Sequence, residues 1–89
     1  MADVIITLRV MPSEEEKFEE LKNEAVKRIE NLGGKNIRFE EEPIAFGLKA
    51  LKFVFILAEE KGTEEVELTL STIPGVSSTQ IVDVRRALL

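Results

Sequence analysis

A run of three glutamates, Glu40, Glu41 and Glu42, groups side chains that could do chemistry. Carboxylates are ligands for magnesium and calcium, and paired carboxylates can act as general acid and base. The neighbouring residues have the pattern of a strand, in which successive side chains point to opposite faces. The three carboxylates would therefore not converge on one ion or one reacting bond. We expect a solvated run of charge and no metal site.

Other catalytic side chains are scarce. Neither Cys nor His occurs among the 89 residues, so the usual zinc ligands, thiol nucleophiles and proton carriers at neutral pH are missing. Residues 11–14 (MPSE) follow the first predicted strand, where an acylphosphatase-like enzyme would need an arginine in a phosphate-binding loop and a metal carrier would need paired cysteines. We expect neither enzyme activity nor a cofactor.

The charge balance is acidic, with 17 Asp and Glu against 12 Lys and Arg and a net charge of −5. Such a balance repels phosphate backbones. Phe53 and Phe55 match only the end of an RNA-recognition motif, and we expect them in the core. The longest apolar run, residues 53–58, is far shorter than the roughly 20 residues of a membrane span, and we expect no signal peptide. A cytoplasmic protein without direct nucleic-acid or membrane binding is predicted.

Length and apolar content, 89 residues at 44%, predict one small domain over residues 1–89. Residues 3–10 alternate and predict a strand. Its apolar face consists of Val4, Ile6, Leu8 and Val10. Ser13 and Glu16 are then predicted to form a capping box before a helix that Gly33 and Gly34 end. Its apolar stripe consists of Phe18, Leu21, Ala25, Ile29 and Leu32.

Two strands follow the first helix. Apolar residues change from odd to even positions between Phe39 and Ile44, which predicts a bulge or break across residues 40–43. Residues 48–58 predict a central strand, because both faces are apolar from Phe53 to Leu57.

A short helix and a last strand complete the chain. Thr63 is predicted to cap the helix, whose apolar face carries Val66, Leu70 and Ile73 before Pro74 and Gly75 stop it. Residues 76–85 predict a rather polar strand. One of its faces consists of Val76, Val82 and Val84.

The order strand, helix, strand, strand, helix, strand predicts an α+β fold, the ferredoxin-like βαββαβ plait. In it, a four-stranded antiparallel sheet carries two helices on one face. This fold hosts many functions and does not define one. If the fold alone is considered, the protein could equally function as a small regulatory or ligand-binding module.

Phe46 lies between the second and third predicted strands, beside Gly47. Its spacing leaves two roles open. The ring either packs on the core next to a tight turn or is displayed as an anchor that inserts into a pocket of a partner.

Residues 43–52 (PIAFGLKALK) and 80–84 (QIVDV) resemble the guanine nucleotide exchange domain of the translation elongation factor 1-beta family. Archaeal members are the most similar, since they open with a strand ending in Val-Met-Pro, as at residues 10–12, and close with Val-Asp-Val-Arg-Arg, as at residues 82–86. The resemblance implies a GTPase partner, elongation factor 1-alpha, from which such a domain releases GDP so that GTP can load. It implies no cofactor.

The resemblance also implies which residues meet the partner, with Phe46 near its nucleotide site. In eukaryotic members a C-terminal lysine reaches towards the magnesium site, and this chain has no lysine there. Arg85 and Arg86 are the nearest cations, and we expect one of them to substitute, because only one can face the partner from a strand. The expected partner-binding residues are Phe46, Gly47, Lys49, Gln80, Asp83, Arg85 and Arg86.

Overall fold

The structure, a computed structural model, describes residues 3–13, 18–44 and 49–87. Its elements are β1 (Asp3–Pro12), α1 (Phe18–Asn31), β2 (Lys35–Pro43), β3 (Lys49–Ala58), α2 (Thr63–Ser71) and β4 (Val76–Arg86), with a 3-10 turn at Glu59–Lys61. The strands form one antiparallel sheet in the order β2-β3-β1-β4. The predicted ferredoxin-like plait is confirmed.

One face of the sheet carries the core. Both helices pack on this face, because their apolar stripes and the alternate residues of β1 and β3 belong to one buried cluster. The cluster consists of Ile6, Leu8, Val10, Leu21, Ala25, Ile29, Leu51, Phe53, Phe55, Leu57, Val66, Leu70 and Ile73. Full burial of one large apolar side chain contributes about 1.5–3 kcal/mol, so this cluster dominates the stability of the fold. The predicted strand face and helix stripes are confirmed.

The helix ends differ in part from the sequence predictions. Gly33 adopts φ 98° just after α1, as a helix-terminating glycine does. The predicted capping box cannot be checked because Glu16 lies outside the described residues, and the Ser13 hydroxyl donates to the Gly75 carbonyl at 3.1 Å. The predicted cap at Thr63 is wrong. Gly62 occupies the N-cap position, with φ 78°, and Thr63 is already the first residue of α2.

The predicted bulge across residues 40–43 is wrong. β2 pairs regularly with β3 from Arg38, opposite Val54, to Pro43, opposite Lys49. The irregularity lies earlier, between Lys35 and Arg38, where Asn36 has φ 52°. Asn tolerates this left-handed conformation better than other residues with a side chain, which favours the extra residue there. The apolar pattern changes at Ile44 because β2 has already ended.

The face assignment of β4 is also wrong. Asp83 pairs with Thr7 and Ile81 pairs with Leu8, so Val82 is an additional residue between two regular pairs. This bulge removes Val82 from the alternation and leaves it 43% exposed. Ile81 packs against the core instead.

The second face of the sheet is not covered by either helix, and β1, β3 and β4 present alternate polar residues on it. They include Arg9, Lys52, Gln80, Asp83 and Arg85. Among the described residues, no helix combines the length and apolar character that crossing a membrane requires.

Candidate functional site

The segment that carries Phe46 and Gly47 joins β2 to β3, and both residues lie outside the described residues. The sheet determines the positions of the residues on either side of this segment. Pro43 and Lys49 are cross-strand partners, so the segment leaves and re-enters the sheet at one point. The same end of the sheet carries the last residues of β1 and the first residues of β4.

The three glutamates before this segment each pair with a different cation. Glu40 lies 3.8 Å from Lys52, and Glu41 lies 3.5 Å from Lys49. Glu42 lies 2.9 Å from Arg9.

Their pairing in the β2–β3 ladder puts Glu40 and Glu42 on the open face and Glu41 on the helix-covered face. The prediction that the carboxylates do not converge is confirmed. No group of three acidic residues in the described parts of the chain is arranged to hold a metal ion.

Arg9 links strands across the open face. Its Nη2 donates to Glu42 Oε1 on β2 at 2.9 Å, and its Nη1 donates to Gln80 Oε1 on β4 at 3.4 Å. Gln80, which the sequence singled out, is therefore joined through Arg9 to the end of β2. Arg9 could not be identified from local sequence, because its partners are 33 and 71 positions away.

Arg85 and Arg86 lie towards the opposite end of the sheet. Arg85 pairs with Ile5, which pairs with Ile56 on β3. Ile56 is seven residues beyond Lys49, or about 23 Å along the strand. The structure therefore separates Lys49 from Arg85. Gln80 lies between them, because it pairs with Arg9, which is opposite Lys52 on β3.

The side chains at this second end form local ion pairs. Arg85 Nε donates to Asp83 Oδ2 at 2.7 Å on the open face. Arg86 Nη2 lies 3.5 Å from Glu59 Oε1, next to the turn before α2. The two arginine side chains are 77% and 68% exposed, and such pairs contribute about 0–1 kcal/mol to stability. Both guanidinium groups are thus accessible to a binding partner.

Comparison with known protein families matches residues 5–87 to the EF-1 guanine nucleotide exchange domain. A protein named Elongation factor 1-beta from Methanothermobacter thermautotrophicus is 46% identical over 88 residues, which cover 97% of this chain and 98% of the relative. The protein of the same name from Metallosphaera sedula is 42% identical over 90 residues, covering 97% of each.

A solved structure is similar in fold. It is LarC2, described as the C-terminal domain of a cyclometallase involved in the synthesis of the NPN cofactor of lactate racemase, in its apo form. The TM-score is 0.52 at 12% sequence identity, and the match covers 99% of this chain and 58% of the LarC2 chain. At this identity the similarity concerns the fold alone.

Proposed function

The chain belongs to the EF-1 guanine nucleotide exchange domain family, and on this premise we propose that it binds the GTPase elongation factor 1-alpha directly and accelerates the replacement of GDP by GTP. Its role is that of a guanine nucleotide exchange factor in polypeptide elongation. The family match over residues 5–87 carries this conclusion. The proposal includes one exchange domain over residues 1–89, acting in the cytoplasm.

Exchange of this kind makes and breaks no covalent bond, so the proposed role needs no catalytic residue and no cofactor of its own. A domain that binds the nucleotide-free GTPase more tightly than the GDP form weakens GDP binding by the same factor. Each tenfold difference corresponds to about 1.4 kcal/mol. GTP then displaces the domain by mass action and completes the cycle.

The proposed contact residues form two groups. Phe46 and Gly47 belong to the segment that joins β2 to β3, Lys49 directly follows this segment, and Gln80 is linked to the end of β2 through Arg9. Phe46 acts as the anchor, because aromatic side chains at the centre of an interface supply much of the binding energy. The Lys49 side chain is 54% exposed, which supports the assignment of Lys49 itself as a contact residue.

The second group consists of Asp83, Arg85 and Arg86 on β4, and one of its two arginines meets the partner, because they point to opposite faces of the sheet. Lys49 of the first group and Arg85 of the second are about 23 Å apart along the strands, so a partner that uses both contacts most of the length of the sheet. An ordinary interface of about 800 Å² per partner is wide enough for both groups.

A stopped-flow measurement of fluorescent GDP tests this function. Substoichiometric amounts of the domain should accelerate GDP release from elongation factor 1-alpha, while the final nucleotide occupancy stays unchanged, since a catalyst does not shift an equilibrium. An unrelated acidic protein of similar size and charge is the control. Release rates that stay unchanged in a large excess of the domain would contradict the proposal.

A further inference from the structure

The contact between Arg9 and Glu42 joins two strands that are not neighbours. β3 lies between β1 and β2 in the sheet, so the 2.9 Å contact from Nη2 to Oε1 must pass over β3. On its other side, Arg9 Nη1 donates to Gln80 Oε1 of β4 at 3.4 Å. One side chain thus connects three strands across a fourth.

Ala50 allows this crossing. It is the β3 partner of Glu42 and is fully buried, although its position in the alternation of β3 puts it on the open face. Its methyl group is short enough for a long side chain to pass over it. Lys52, the direct cross-strand partner of Arg9, instead lies 3.8 Å from Glu40.

The bridge is partly shielded from water. The Arg9 and Glu42 side chains are 31% and 34% exposed, and partly buried pairs are screened less by salt than exposed ones. Arg9 Nε is buried and has no hydrogen-bond partner among the described residues. A buried donor without a partner is unfavourable, so Nε does not hold the guanidinium group in place. The group is held by the contacts of Nη2 to Glu42 and of Nη1 to Gln80.

From these contacts we propose that Arg9 is a positioning residue for nucleotide exchange, which fixes the end of β2 relative to Gln80 on β4. The inference rests on the proposed function, which assigns partner contacts to Gln80 and to the segment that follows β2. Glu42 directly precedes Pro43, whose ring restricts the backbone. A displacement of the end of β2 therefore moves Pro43, the last residue of the strand.

The experiment measures the domain concentration that gives half-maximal GDP release, together with the maximal rate. Arg9→Gln should raise the half-maximal concentration about threefold to fivefold, the loss expected for one partly exposed ion pair, with the maximal rate unchanged. Lys52→Gln is the matched control, because it removes the same charge from the same face but breaks a pair between adjacent strands only. Its half-maximal concentration should stay close to that of the wild type.

Two further variants separate positioning from a general loss of structure. Arg9→Lys should recover part of the effect, because one ammonium group replaces the Glu42 contact but not the fork that reaches Gln80 as well. In the double variant Arg9→Glu with Glu42→Arg, the reversed pair should recover part of the loss, because it forms the ion pair to β2 again but not the fork that reaches Gln80. Each single reversal should stay impaired. If Arg9→Gln does not fold, the reversed pair decides the question.

The outcomes distinguish this inference from the proposed function. If the wild type accelerates release but Arg9→Gln matches it, or Lys52→Gln is equally impaired, Arg9 does not position the site while the exchange role stands. An unrestored double variant overturns the inference in the same way. If the wild type itself does not accelerate GDP release, both the exchange role and the positioning role are contradicted.

Discussion

Arg85 and Arg86 are neighbours on β4, yet their guanidinium groups lie on opposite faces of the sheet. Arg85 pairs with Asp83 on the open face, and Arg86 contacts Glu59 beside the helices. A partner that approaches the open face therefore meets Arg85 and not Arg86. This separation lets the hypothesis that an arginine substitutes for the missing lysine be tested with two adjacent positions.

We expect Arg85→Ala to slow GDP release about threefold to tenfold when magnesium is present, and Arg86→Ala to have a much smaller effect. Magnesium in a GTPase is held by phosphate oxygens and a few protein ligands, and an arginine fork can compete for such acidic groups. Chelation of magnesium should remove most of the difference, because the ion is then already gone. Equal, small and magnesium-independent effects in the stopped-flow assay would show that both arginines only solvate the surface.

Phe46→Ala should weaken exchange strongly while leaving the domain folded. Loss of an interface anchor costs about 2 kcal/mol or more of binding, whereas an exposed ring contributes little to the core. Phe53→Ala is the matched control, because Phe53 is fully buried and its loss should destabilise the fold by about 3–5 kcal/mol. Chemical denaturation and GDP release measured on both variants decide between the roles. A stability loss at Phe46 as large as at Phe53 would assign Phe46 to the core.

Arg28→Ala should destabilise the domain by about 1–2 kcal/mol, because Arg28 ties α1 to the end of α2. Its Nη1 donates to the Thr69 carbonyl at 3.0 Å and to Thr72 Oγ1 at 2.8 Å, and cations are favourable at helix C-termini. Lys27→Ala, at an exposed neighbouring position, should change stability by less than about 0.5 kcal/mol. Thermal denaturation checks both variants, and equal stabilities would contradict the predicted role of this contact.

Gly33→Ala and Gly34→Ala should both destabilise, for different reasons. Gly33 has φ 98° and open space around it, so alanine there carries only backbone strain of about 1 kcal/mol. A Cβ at Gly34 would overlap Ile29 Cγ2 and lie 2.9 Å from the Ile29 carbonyl oxygen, which forces the core to shift and costs about 1–3 kcal/mol. Denaturant titrations should therefore rank Gly34→Ala as the less stable variant. The reverse order would show that the chain relaxes easily at this turn.

Alternation and helical spacing were sufficient to predict the buried faces of β1 and α1, because each of these faces packs on a single continuous core. The same reasoning failed on the edge strands. Whether Val82 or Ile81 faces the core depends on a bulge, and the pairing with Leu8 and Thr7 defines that bulge. Local sequence carries little information on such pairing.

The candidate site was predictable to a similar extent. Alternation indicated that Arg85 and Arg86 differ in direction, as their contacts confirm. The contact between Arg9 and Glu42 could not be foreseen, because it depends on the strand order and on the small side chain of Ala50 between them. The residues next to Arg9 in the sequence indicate neither the strand order nor the crossing over Ala50.

The position of β1 in the middle of the sheet has a consequence for the order of folding. Of the four strands of this sheet, β1 leaves the ribosome before the others, and it pairs on one side with β4, which emerges after them, from Val4 opposite Arg86 to Pro12 opposite Val76. Contacts between such distant segments form late and slow the folding of small domains. The growing chain therefore cannot complete its sheet until β4 has emerged, and until then one edge of β1 stays open to pairing with other chains.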